Sequence, residues 1–197
     1  VDKVITISQK LAKFMPNNKI KLHHVHFAKI HDAIMQFIPD PYIITIMRRM
    51  MYRIGEEFAK KNNLLVLING ESVGQVASQT LESMSVVEEV TRIPIIRPVA
   101  TYDKADIIKI AKQIDTYNTS ILPFEDCCTV YVPRRPVTKP KSHICEEYEQ
   151  NYDFAPLINE ALSSISTIVV DANKDIKLAN YGFDFVSAYE EWKNDNE

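Results

Sequence analysis

Apolar positions recur at steps of three and four through the first fifteen residues. Val1, Val4, Ile7, Leu11 and Phe14 fall on one stripe, which predicts an amphipathic helix over 1–15. Pro16, Asn17 and Asn18 break it. Residues 20–27 alternate apolar and polar and read as a strand, and 31–37 as a short helix closed by Pro39 and Pro41. A long helix is predicted over 43–61, with Met47, Met50, Met51, Ile54 and Phe58 on its buried stripe. Lys60 and Lys61 suit its C-terminal end, where the macrodipole favours cations. The run 64–68 is continuously apolar, the mark of a strand covered on both faces. Gly70 ends it, and a helix is expected over 75–90, a strand over 94–99, and a helix over 105–114 capped by Asp103. Strands and helices alternating at this spacing predict an α/β fold with a mostly parallel sheet. Residues 117–143 hold Pro123, Pro133, Pro136 and Pro140 and little periodicity, so a long loop or flap is expected there. A helix over 148–163, a strand over 164–170 and a frayed acidic tail after Tyr181 complete the pattern.

Composition narrows the class. With 197 residues, 46% hydrophobic and 25% charged, the chain has the make-up of one ordinary globular domain, not of a disordered segment. Its apolar runs are too short to span a bilayer, and no secretion signal is legible at its start. No membrane association is therefore expected. The formal net charge of −3 means that any nucleic-acid surface must be a local patch. Three cysteines, two of them adjacent, fit no disulfide framework and point to a reducing, cytoplasmic setting.

Four segments carry candidate chemistry. The stretch 69–80 (NGESVGQVASQT) joins a buried strand to a helix, where parallel sheets bind ligands. Gly70 and Gly74 permit tight backbone turns there, and N–H groups at the following helix start favour an anion. Arg48 and Arg49 lie about 100° apart on their helix; either one reaches the sheet edge while the other meets solvent, or both are surface cations with their stems laid along apolar neighbours. Lys104 sits in a first helical turn, where the dipole disfavours a cation, so its placement invites a functional reason or simple exposure to solvent. Cys127 and Cys128 follow Glu125 and Asp126 in the proline-rich loop, where a thiolate is accessible; inert burial is the alternative. Arg134, Arg135, Lys139 and Lys141 make that loop locally basic, which suits phosphate backbones. His24 and His26 share a strand face without a third ligand, so no metal site is read, and Cys145 is read as structural.

The ordered succession IMRRMM, NGESVGQVASQTLESM, RPVATYDKADIIKIAKQI, ILPFEDCC and PRRPVTKPK resembles the PP-loop domain of ThiI-type tRNA 4-thiouridine synthases, over residues 1–145. The resemblance implies an adenine-nucleotide-hydrolase-like α/β domain with helices on both sheet faces. It places the flap at 117–143 within that domain and a helical extension and tail at 146–197. It implies an enzyme that uses ATP and Mg2+ to adenylate the C4 oxygen of a tRNA uridine. Persulfide sulfur from a cysteine desulfurase then displaces AMP to give 4-thiouridine. The family is also linked to thiamine thiazole synthesis.

By the same resemblance, Arg48, Gly70 and Gln79 contact the nucleotide, Lys104 serves the activation step and Cys127 is the reactive thiol, with Cys128 as the alternative register. The family's SGG-x-DS loop and its first strand and helix have no counterpart in the sequence. The chain is accordingly expected to be inactive alone and able to form a homodimer through exposed apolar surface. Two rival readings differ in class. One is a non-catalytic tRNA- or partner-binding module. The other is a 2-thiouridylase, which would need a C-x-x-C pair that the sequence lacks.

Overall fold

The computed structural model describes residues 2–122 and 136–174. They belong to two compact units. One comprises residues 2–23, 108–122 and 167–174; the other comprises 24–107 and 136–166.

In the first unit, helix α1 (Asp2–Ala12) packs against a two-stranded sheet of β1 (Lys19–His24) and β4 (Ser166–Asp171). Lys19 reaches Asp171 at 3.8 Å and His23 Nδ1 meets Thr167 Oγ1 at 2.8 Å, so the two strands run in opposite directions. Ile5, Ile168 and Val170 form the core, with Ile20 and Leu22 against it. The buried stripe of α1 is Ile5, Ser8 and Ala12, not the predicted one; Val4 and Phe14 are exposed. Both stripes satisfy a helical period, and the small residues at 8 and 12 hide the true one from an apolar count. A short helix α6 (Tyr117–Ser120), where a loop was expected, packs on α1. Lys10 of α1 also donates to the carbonyl of Asp115, two residues before α6, at 2.7 Å.

The second unit is built around α3 (Ile43–Lys61). Ile43, Ile46, Met50 and Ile54 are buried at steps of three and four. They pack with Ile30 and Ile34 of α2 (Ala28–Phe37), Val86 of α4 (Leu81–Glu88), Cys145 of α7 (Ser142–Glu149) and Ala161 of α8 (Ala155–Ser163). Met51, predicted to be buried, is exposed. Met50 and Ile54 are buried as predicted and Met47 packs partly buried against the core, while α3 also buries Arg49 and Glu56. Gly55 lets this helix approach the sheet closely: a Cβ there would stand 3.2 Å from Leu67 Cδ1.

Strands β2 (Leu67–Ile68) and β3 (Ile95–Ile96) pair in parallel, Leu67 opposite Ile95 and Ile68 opposite Ile96. Both are shorter than predicted. Asn63 takes a left-handed conformation (φ 55°) and the Leu64 N–H returns to the Ala59 carbonyl at 2.9 Å. Residues 62–66 are thus used in leaving α3. The single helix expected over 75–90 begins at Leu81. Thr80 stops the preceding 3-10 turn and caps α4, its hydroxyl accepting from the Ser83 N–H at 3.1 Å. The helix expected over 148–163 is likewise two helices. Pro156 cannot donate to a preceding turn, and Asp153 Oδ1 accepts the Ala155 N–H at 3.1 Å to start the second.

The described strands therefore form a parallel pair and a separate antiparallel pair, in place of one mostly parallel sheet. Among the described residues no helix is long and apolar enough to cross a membrane.

Candidate functional site

The carboxyl ends of β2 and β3 open into the two segments that the sequence singles out. Residues 69–80 leave β2 and residues 97–103 leave β3, and hydrogen bonds join them. The Val73 N–H donates to the Ala100 carbonyl at 2.9 Å, and the Ser72 hydroxyl to the Tyr102 carbonyl at 2.8 Å. Within the first loop, Gly74 adopts φ +78°, a left-handed conformation that favours glycine, and its N–H donates to the Gln79 carbonyl at 2.9 Å. Gln79 Oε1 accepts the Ser72 N–H at 3.3 Å. Gly70 is different. Its φ is not in the left-handed region, and a Cβ there would meet nothing within 4 Å, so neither turn nor packing demands glycine. The open space beside its backbone is where another group can approach.

Arg48 enters from α3. Its Nη1 donates to the Ser78 carbonyl and its Nη2 pairs with Glu71 Oε1, so both ends of the 69–80 loop are held by one guanidinium. Burial, with the like charge of Arg97 adding to it, pulls Arg48 below the ordinary arginine range, against an opposing effect of Tyr52. Glu71 is 9% exposed and lies at the centre of a polar cluster. Its Oε2 accepts from Arg97 Nε at 2.8 Å, Asn69 Nδ2 at 3.0 Å and the Tyr52 hydroxyl at 3.3 Å. Arg97 also pairs with Glu88 at 2.8 Å.

Arg48, the Gly70 loop and Gln79 are thus brought together. Lys104 opens helix α5 (Lys104–Gln113), two residues beyond the carbonyl that accepts from Ser72, and is exposed. No contact joins it to Arg48 among the described residues. Cys127 and Cys128, with Arg134 and Arg135, lie outside those residues. Of the basic residues beyond them, Lys139 pairs with Glu82 at 3.3 Å, and the Thr80 hydroxyl donates to the Thr138 carbonyl at 2.5 Å.

Sequence reasoning missed Glu71, Arg97, Asn69 and Tyr52. The signal was present: an acidic residue next to Gly70 and an arginine directly after an apolar strand, both in positions that face the same strand ends. Nor does either arginine of the pair point to solvent as one was expected to: Arg49 is 2% exposed. Arg49 donates to the Val86 carbonyl at 2.7 Å and to Glu149, and Arg53 one turn on grips the same carboxylate at 2.7 and 2.9 Å. His24 and His26 stack edge to face at 4.6 Å. Burial, then the neighbouring His26, lowers the pKa of His24. Among the described residues no three His, Cys, Asp or Glu side chains cluster as metal ligands would.

Two hydrogen-bonded loops at the carboxyl ends of parallel strands, one of them gripped by an arginine and carrying a glycine with open space beside it, define an α/β protein with a candidate anion or nucleotide site. The particular family follows from comparison. The family described as thiamine biosynthesis protein (ThiI) matches residues 1–154, and the chain belongs to it. A probable tRNA sulfurtransferase of Acholeplasma laidlawii is 57% identical over 188 residues, covering 95% of this chain and 46% of that protein. Proteins of the same description from Listeria welshimeri and Listeria monocytogenes are each 49% identical over 176 residues, covering 89% of this chain and 43% of theirs. The chain thus spans about half the length of the curated relatives it matches. The crystal structure of a 4-thiouridine synthetase–RNA complex with bound ATP superposes with a TM-score of 0.81 at 36% identity, over 86% of this chain and 44% of that one.

Proposed function

We propose that this chain is the later part of the adenylation domain of a tRNA sulfurtransferase that makes 4-thiouridine. The observation that carries the reading is the joining of Arg48, the 69–80 loop and the 97–103 segment at the carboxyl ends of β2 and β3. The likeness to a synthetase with bound ATP and RNA supports both partners.

ATP, when bound, supplies the adenylyl group that turns the uridine C4 oxygen into a leaving group. The backbone beside Gly70 leaves room for the nucleotide, Arg48 fixes the loop against it, and Gln79 holds the loop closed. Lys104, an exposed cation at the rim, offsets charge that develops at the α-phosphate, an electrostatic contribution. Mg2+ belongs with the nucleotide's phosphates in this reading, since ATP chemistry keeps the metal largely on substrate oxygens. Cys127, or Cys128 in the alternative register, takes part in persulfide exchange through its thiolate after activation. The sulfur comes from a cysteine desulfurase. The link to thiamine thiazole synthesis, a cytoplasmic setting and inactivity of these residues by themselves belong to the same reading.

The test is tRNA-dependent AMP release by the protein made from the complete reading frame. Lys104→Ala is expected to lower it at least about a hundredfold, the scale of one lost transition-state contact. Undiminished AMP release would remove Lys104 from the mechanism. Salt-dependent tRNA binding with no nucleotide binding would favour the non-catalytic module instead.

A further inference from the structure

We propose that Glu71 is the positioning residue of this site: it fixes Arg48 and Arg97 as a pair of cations at the 69–80 loop and acts on the nucleotide through Arg48. The proposal rests on the nucleotide reading above.

Three observations carry it. First, the Glu71 carboxylate is fully occupied. Arg48 takes Oε1, and Arg97, Asn69 and Tyr52 converge on Oε2 at 2.8, 3.0 and 3.3 Å. A carboxylate offers about four lone-pair sites, so little remains for a ligand. Its backbone is pinned as well, the Glu71 N–H donating to Asn69 Oδ1 at 3.1 Å. Glu71 therefore holds other groups in place and does not itself touch substrate.

Second, the charges do not balance. The side chains of Arg48 and Arg97 are 13% and 12% exposed, and the buried carboxylate between them is Glu71 alone. Glu88, the second partner of Arg97, is 42% exposed and screened by solvent. A buried surplus of positive charge is costly unless an anion completes it.

Third, one donor is left over. Nη2 of Arg97 is buried and has no hydrogen-bond partner among the described residues. Buried polar groups in native proteins are nearly always paired, so this donor marks an acceptor still to come. A polyphosphate supplies both the negative charge and the acceptor oxygens. If Glu71 lost its charge, two like-charged guanidiniums would face each other, and Arg48 would leave the Ser78 carbonyl and the loop.

The experiment is a double-mutant cycle on the protein made from the complete reading frame, reading KM for ATP and kcat for tRNA-dependent AMP formation. Glu71→Gln keeps shape but turns an amide toward the guanidiniums. It should raise KM for ATP about tenfold while kcat stays within about twofold, as expected for lost ground-state binding. In an Arg48→Gln background the same change should raise KM clearly less, because the part of its effect that Glu71 exerts through Arg48 is already lost. Glu71→Asp, which keeps the charge, should rescue KM to within about threefold. Should Glu71→Gln fail to fold by circular dichroism, the cycle is run with Glu71→Asp, whose smaller rise in KM must likewise shrink beside Arg48→Gln. An unchanged KM, or an equal rise in both backgrounds, assigns Glu71 to the scaffold and overturns the proposal while the nucleotide reading stands. Wild-type protein that forms no AMP with tRNA overturns both.

Discussion

Consecutive arginines on one helix turn, about 100° apart, lead to different partners. Arg48, half-buried, grips a loop, and Arg49, buried, grips a carboxylate. Near Arg49 lies Cys145, wholly buried among apolar side chains. Burial pushes its thiol up to about 11, the charge of Arg49 only partly opposing it. Cys145 is therefore expected to resist alkylation by iodoacetamide at pH 8 in the folded protein and to react fully in denaturant, as peptide mass mapping would show. The sign of its pH effect follows. The thiol ionises near 9 when unfolded and near 11 when folded, so its contribution to stability is complete below about pH 9 and lost as pH rises toward 11. That Cys145 is structural was legible from its helical setting alone. That Arg49 is buried was not, because nothing near residue 49 reveals an acid a hundred positions later.

Between elements, the firmest polar link is the Glu149 fork, in which one carboxylate at the end of α7 receives Arg49 and Arg53 from α3. Burial alone would raise the pKa of Glu149, but hydrogen bonds and charge from the two arginines outweigh it and hold it below the ordinary range. Removing one partner of a buried pair leaves the other uncompensated. Glu149→Ala is expected to cost about 3–5 kcal/mol in urea unfolding. Since the folded pKa is depressed, this stabilisation is present above about pH 4.5 and is lost as pH falls below it. A smaller effect is expected at the start of α4. Thr80→Ala removes the cap on Ser83 and should cost about 1 kcal/mol by the same measurement. Element types were mostly readable from periodicity, and 43–61 was readable to the residue. Element ends were not. They were decided by Asn63, Thr80 and Pro156, whose local hydrogen bonding overrides an apolar pattern that runs on through them.

At the scale of the chain, strand order is the part sequence conveyed least. Two apolar runs predicted as strands pair in parallel, while β1 finds β4 more than 140 positions away by an antiparallel register that no local pattern announces. The candidate site was more legible, because Arg48, Gly70 and Gln79 lie in short motifs whose ends the fold joins. Ile68 and Ile96, opposite each other, are 65% and 50% exposed, with Leu65 nearby at 83%. Such a face favours association. The 197-residue chain by itself is expected to self-associate with rising concentration in sedimentation velocity. Ile68→Lys with Ile96→Lys should return it to a single slower species.

Helix α3 has one further property, set by the spacing of its anchors. Arg48 and Arg49 stand about 100° apart, so rotating the helix about its axis eases one grip as it strains the other. Through this one helix the loop at Ser78 and the end of α7 at Glu149 are referred to a common frame, by anchors one residue apart.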